Sequence, residues 1–139
     1  MWLAGRGLGM ALGLQGKHEE AIPILEAALT VSGGHNWMIS TLCHAHAWAG
    51  HAAEARRYHD MLVAAVSAGK YVQPMILGST YAVLGELDAA FDWFERAYRE
   101  RDPLPVINFW PPYTAEFGAD PRFAALMARV GLSRTPQSR

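Results

Sequence analysis

Gly85-Glu86-Leu87-Asp88-Ala89-Ala90 decides the fold, because two other segments repeat its form. They are Gly16-Lys17-His18-Glu19-Glu20-Ala21 and Gly50-His51-Ala52-Ala53-Glu54-Ala55. Each opens on glycine, carries polar residues and closes on alanine. Gly16 and Gly50 are 34 residues apart, and Gly50 and Gly85 are 35 apart. A fixed period of this length marks an array of stacked supersecondary units. The flanks keep the same register. Upstream stand Leu8-Gly9 then Leu12, Leu42-Cys43 then His46, and Leu77-Gly78 then Tyr81. Downstream stand Leu25 and Ala28, His59 and Leu62, and Phe94 and Ala97.

Apolar residues at i, i+3, i+4 and i+7 on both sides of each glycine predict two helices, A and B, joined by a short turn. The glycine supplies the left-handed backbone that ends helix A. The small residue after Leu in helix A, and the Ala in helix B, let the two helices approach closely. One hairpin alone cannot bury its apolar face, so stacked neighbours complete the core. The predicted helices are 2–14 and 18–31, 36–49 and 52–67, and 71–84 and 87–101. Pro74 suits a first helical turn, where no backbone donor is lost. Pro23 falls inside its helix and predicts a slight kink there.

On these residues the chain resembles the tetratricopeptide repeat family, whose signature is W-x2-L-G-x2-Y, then A-x3-F, then P. The third repeat is the nearest match, with Leu77-Gly78-x2-Tyr81 and Ala90-x3-Phe94. The first carries Leu8-Gly9-x2-Leu12 and Ala21-x3-Leu25. The second departs most, with Cys43 for Gly, His46 for Tyr and His59 for Phe. The resemblance covers roughly residues 2–102 and implies an all-α fold: a right-handed superhelical stack of three hairpins plus a C-terminal capping helix.

The expected organisation is a single domain over 1–139, with repeats at about 2–34, 36–68 and 71–102. A connector follows at 103–119, where Asp102-Pro103-Leu104-Pro105 and Trp110-Pro111-Pro112 forbid regular helix. The capping helix spans 120–131: Asp120 is its N-cap, Pro121 its first residue, and Phe123, Leu126, Met127 and Val130 its apolar stripe. Residues 132–139 form a flexible tail. Glu100-Arg101-Asp102-Pro103, Asp120-Pro121-Arg122-Phe123 and Gly131-Leu132 also resemble a tail of bacterial proteins in which repeats follow a winged-helix regulator, a nucleotide cyclase or a kinase domain. The middle of the connector departs from that tail. Terminal repeats present a polar outer face, whereas Trp2 and Leu3 lie at the leading edge of repeat one. Two readings follow: the chain is the C-terminal part of a larger bacterial protein, or that edge meets another subunit.

Composition excludes several classes. Hydrophobic residues make up 51% and charged residues 18%, which fits a packed domain rather than a disordered tail. Twelve basic residues stand against 13 acidic ones. The densest basic run, Arg96, Arg99 and Arg101, is interleaved with Glu95, Glu100 and Asp102, so no nucleic-acid partner is expected. Cys43 is the only cysteine, which fits a reducing compartment. Arg6 and four early glycines interrupt the apolar N-terminus, so it does not read as a signal peptide. No run reaches the roughly 18 apolar residues of a membrane span. A cytoplasmic protein without a membrane partner is expected.

The resemblance places the concave, partner-facing positions of the A helices at Arg6, Met10, Gly13 and Leu14 in repeat one. It places them at Trp37, Ser40, His44, Ala47 and Trp48 in repeat two, and at Val72, Met75, Ser79, Ala82 and Val83 in repeat three. Relatives that grip a C-terminal carboxylate use Lys, Asn and Arg there. Arg6 stands alone, which disfavours that mode. An apolar groove lined by Met10, Trp37, Trp48 and Met75 suits an amphipathic helix or an extended hydrophobic segment. The alternative occupant is the connector, through Phe109, Trp110 or Tyr113.

His44, His46, His51 and His59 crowd into repeat two. His44 and His46 point about 200° apart on a helix, so they do not converge on a metal. The family register sets His46 and His59 across the hairpin, which predicts a buried pair hydrogen-bonded to each other. There is no G-x-S-x-G elbow, P-loop or H-E-x-x-H. Glu19, Glu20, Glu54, Glu86 and Asp88 fall in first turns of B helices, where carboxylates favour the dipole. The expectation is a protein-binding scaffold without cofactor, metal site or catalytic residue. The alternative is a homo-oligomerisation module pairing through its N-terminal edge or groove; a histidine-based enzyme is the remote third.

Overall fold

The computed structural model describes residues 2–100 and 119–129. It is all-α, with seven helices and no strand among the described residues. They are α1 (Trp2–Leu14), α2 (His18–Ser32), α3 (Asn36–Trp48), α4 (Ala52–Ser67), α5 (Pro74–Val83), α6 (Leu87–Arg99) and α7 (Pro121–Arg129). The chain divides into two compact units, Met1–Val72 and Gln73–Arg139. The first holds α1 to α4 and the second α5 to α7. Residues 101–118, which hold the end of the third repeat and all but the last residue of the connector, lie outside the described residues, as do the tail and the last two residues of the expected capping helix.

The three turns are one structural object built three times. Gly16, Gly50 and Gly85 take φ of +81°, +85° and +83°. At each, the amide two places after the last helical turn donates back across five residues: Lys17 to Leu12, His51 to His46 and Glu86 to Tyr81, at 2.9, 2.8 and 3.0 Å. This is the Schellman closure, which satisfies carbonyls that a helix end leaves bare. No atom lies within 4 Å of where a Cβ would be at any of the three, so backbone conformation alone calls for glycine. Each B helix then begins alike, with the amides of Ala21, Ala55 and Ala90 donating to Lys17, His51 and Glu86 at 3.0 Å.

α1 packs on α2, α3 on α4, and α5 on α6. Glycine sits at the crossing where the residue after Leu demanded a small side chain. A Cβ on Gly9 would fall 2.4 Å from Leu25 Cδ2, and one on Gly78 would fall 2.6 Å from Phe94 Cδ1. Leu25 and Phe94 are themselves fully buried. Cys43 and His59 hold the corresponding positions of the α3–α4 hairpin, and both are buried.

Within the first unit, α3 also packs on α2 and α1. Leu25, Met38, Leu42 and Leu62 are among its fully buried side chains. In the second unit Met75, Phe91, Phe94, Ala97 and Leu126 form one core, with Phe123 packed beside it. Leu126 brings α7 onto α6 as the apolar stripe predicts. Arg122 reinforces the contact, 2.9 Å from Asp88 and 4.7 Å above the Phe91 ring. Asp120 caps α7 by accepting from the Arg122 amide at 2.9 Å.

Helix bounds agree with the sequence to within two residues, save at α5, which starts at Pro74 rather than at 71. The cause is local: a residue before proline avoids helical dihedrals, and Gln73 has φ −57° and ψ 132°. α2 runs continuously through Pro23. No helix among the described residues is long and apolar enough to cross a membrane.

Candidate interaction surface

Arg6 on α1 and Trp37 on α3 are brought together because α3 packs against the first hairpin. The guanidinium lies 4.3 Å from the indole centroid, a cation–π contact. Its Nε donates to Thr41 Oγ1 at 2.8 Å, and Thr41 Oγ1 donates to the Trp37 carbonyl at 2.7 Å. Burial among these groups lowers the Arg6 pKa to about 10. The side chain is still cationic at neutral pH. No carboxylate of the described residues pairs with it. The Trp37 indole N–H is buried and has no hydrogen-bond partner among the described residues.

Trp2 extends the frame. Its ring lies 4.8 Å from His35 and meets Trp37 edge-on at 6.5 Å. His35 caps α3 through Nδ1, which accepts from the Trp37 amide at 3.1 Å. Trp2, His35 and Thr41 were not among the positions picked from the sequence. A signal was there: Trp2 and Arg6, like Trp37 and Thr41, are four apart and so share a helix face.

At the other end of α1, Trp48 packs where Gly13 is bare, its ring 3.4 Å from where a Cβ would stand. His44 stacks on Trp48 at 5.9 Å and 18°. Arg6, Met10, Trp37 and Trp48 are half-buried, and Leu14 is exposed. Ser40 and His44 are buried, Ser40 donating to the Trp37 carbonyl at 2.8 Å. Val72, Met75, Ser79 and Val83 are likewise buried, Met75 inside the core of the second unit. Six of the fourteen candidate positions, Arg6, Met10, Leu14, Trp37, Ala47 and Trp48, therefore keep surface, and all six belong to α1 and α3.

The histidines of repeat two pair differently from the expectation. His46 Nδ1 lies 3.0 Å from His51 Nδ1, and its Nε2 is buried with no partner among the described residues. The predicted His46–His59 hydrogen bond is therefore absent. The turn explains the exchange. His46 and His51 are the two ends of the Schellman closure, which sets their side chains beside each other. Tyr58 stacks on His46 at 5.6 Å, and Glu19 stands 3.8 Å from His51 Nε2. Burial first, and then His51, lowers the His46 pKa. Among the described residues no three of His, Cys, Asp or Glu are placed to hold a metal ion. Cys43 is fully buried, and burial pushes its thiol up to about 12, so it stays protonated.

No family model matches the chain, and neither does any curated protein or solved structure.

Proposed function

We propose that this chain is a protein-binding scaffold of the right-handed tetratricopeptide type, which takes up a peptide or partner helix on the α1–α3 face. The observation that carries this is the Arg6–Trp37 pair: a half-buried cation over an indole, with no carboxylate of the described residues to neutralise it. Aromatic and arginine anchors of this kind dominate the energetics of interaction surfaces. Met10, Trp48 and Leu14 extend the face with apolar area suited to an amphipathic helix. The threefold turn and the two glycine crossings support the repeat assignment. The chain acts without a cofactor and is no enzyme, in keeping with a sequence that carries none of the catalytic motifs. It works in the cytoplasm.

A random-peptide display library panned on the purified chain tests this. Enriched peptides, titrated by tryptophan fluorescence, should lose about tenfold or more in affinity to Trp37→Ala or Arg6→Ala. Met61→Ala, on the exposed face of α4, should bind them normally. Equal binding by all three variants rules the face out.

A further inference from the structure

His46 and His51 face each other through their Nδ1 atoms at 3.0 Å, so one proton lies between them. One ring must donate and the other accept. The surroundings decide which. His46 Nε2 is buried and has no partner among the described residues. A proton on that atom would leave a buried N–H bare, which folded proteins avoid more strictly than a bare acceptor. His46 is therefore the Nδ1–H tautomer and donates to His51. His51 accepts at Nδ1 and carries its own proton on Nε2. That nitrogen stands 3.8 Å from Glu19 Oε2, just beyond hydrogen-bond reach.

An added proton has no place in this arrangement. On His46 Nε2 it would put a charge in a buried site without a partner, and burial, then His51, already lowers the His46 pKa. On His51 Nδ1 it would set two N–H groups against each other at the pair's 3.0 Å separation. His46 would then have to move its proton to Nε2, leaving the bare buried N–H again. What remains is for His51 to turn away, and its side chain is 38% exposed. The charges around the pair leave one carboxylate to receive it. On α4, Glu54 is held by Arg57 at 3.0 Å, Arg57 lies over the Tyr58 ring, and Tyr58 stacks on His46. On α2, Glu26 acts on His46 only through its field, while Lys17, His18 and Glu20 border the recess beside Ala49 with Glu19. Glu19 is 87% exposed and forms no other ion pair among the described residues.

We propose that His51 is a two-position proton switch: neutral, it is bonded to His46 within its own hairpin, and protonated, it turns to Glu19 on the hairpin before it. The turn after α3 thereby exchanges a tie to α3 for a tie to α2. The two histidines are the ends of the Schellman closure, so the exchange acts where α3 ends, on a helix that packs against α2. One state keeps a hydrogen bond and the other a surface ion pair, contributions of similar small size. A single proton is enough to move such a balance. The switch is independent of the Arg6–Trp37 face.

Long-range proton–nitrogen spectra of the full chain read each imidazole tautomer, and ring cross-peaks read the contacts. At pH 8, His46 should be the Nδ1–H tautomer, His51 the Nε2–H tautomer, and the two rings should give a cross-peak. On lowering the pH to 5, that cross-peak should vanish and one between His51 and Glu19 should appear, with helical circular dichroism retained. Glu19→Gln, a change at an exposed site, should lose the second cross-peak and need about two- to fivefold more acid to lose the first. Glu54→Gln should keep the His51–Glu19 cross-peak. A His46 Nε2–H tautomer at pH 8 overturns the proposal. So does a ring contact that survives double protonation of His51, a Glu19→Gln chain that titrates like the wild type, or loss of the ring contact only together with global unfolding.

Discussion

Phe94 fills the space that a side chain at position 78 would need: a Cβ on Gly78 would meet its ring at 2.6 Å. The ring cannot retreat easily, because Phe94 is fully buried and meets Phe91 edge-on at 6.2 Å. Gly78→Ala should therefore destabilise the chain by about 1–3 kcal/mol through overpacking. Urea denaturation followed by circular dichroism measures it. Gly78→Ala combined with Phe94→Leu should cost less than the sum of the two single changes, since one relieves the other.

The turn glycines make a different prediction, because no crowding is involved. Gly50→Ala should cost about 1–2 kcal/mol from the left-handed backbone alone. Gly7 is also glycine with open space around it, but it lies inside α1. Gly7→Ala should therefore stabilise by about 0.5–1 kcal/mol. Thermal melts of the two variants at low protein concentration should move in opposite directions.

Stability should fall as the pH drops below about 6.5, the ordinary histidine value from which His46 is lowered. Above that value His46 is neutral in both the folded and the unfolded chain. Below it the unfolded chain takes up a proton that the folded chain resists, so unfolding is favoured, until the lowered folded pKa is passed. Burial and His51 set this direction, against the opposing pull of Glu54 and Glu26. One such group gives a slope of at most about 1.4 kcal/mol per pH unit. His46→Tyr should flatten urea-derived stability between pH 7 and pH 5; an unchanged slope would assign it to other groups.

Cys43 should be nearly inert toward a disulfide reagent at pH 8. Its thiol is fully buried and its pKa is pushed up to about 12, so little thiolate forms and none is accessible. Labelling in denaturant should be complete, and the native rate should be slower by about a hundredfold or more, tracking local opening of the α3–α4 hairpin.

What could be read without coordinates was whatever depends on local backbone chemistry. Gly16, Gly50 and Gly85 announced their turns because few other residues tolerate that dihedral. Gly9 with Leu25 and Gly78 with Phe94 were legible because each pair keeps one spacing in a known register. The histidine pairing was not. The register sets His46 opposite His59, while the geometry of the turn delivers His51, and residue spacing does not say which contact prevails. The start of α5 was shifted by the dihedral restriction before Pro74, a local rule outweighed in the reading by the apolar pattern. The candidate surface was half legible. Arg6, Met10, Leu14, Trp37 and Trp48 retain solvent contact, but burial of Ser40, His44, Met75 and Ser79 depends on how tightly neighbouring helices close.

Each helix pair closes within about one repeat, through a glycine turn whose bonds span five residues or fewer. The entropy lost in bringing two segments together grows with the chain between them. Here that chain is a three-residue turn, so a hairpin can form before any distant segment arrives. Topologies dominated by such short-range closures fold in microseconds to milliseconds. The same three glycines that end the A helices therefore set the pace at which the chain acquires its structure.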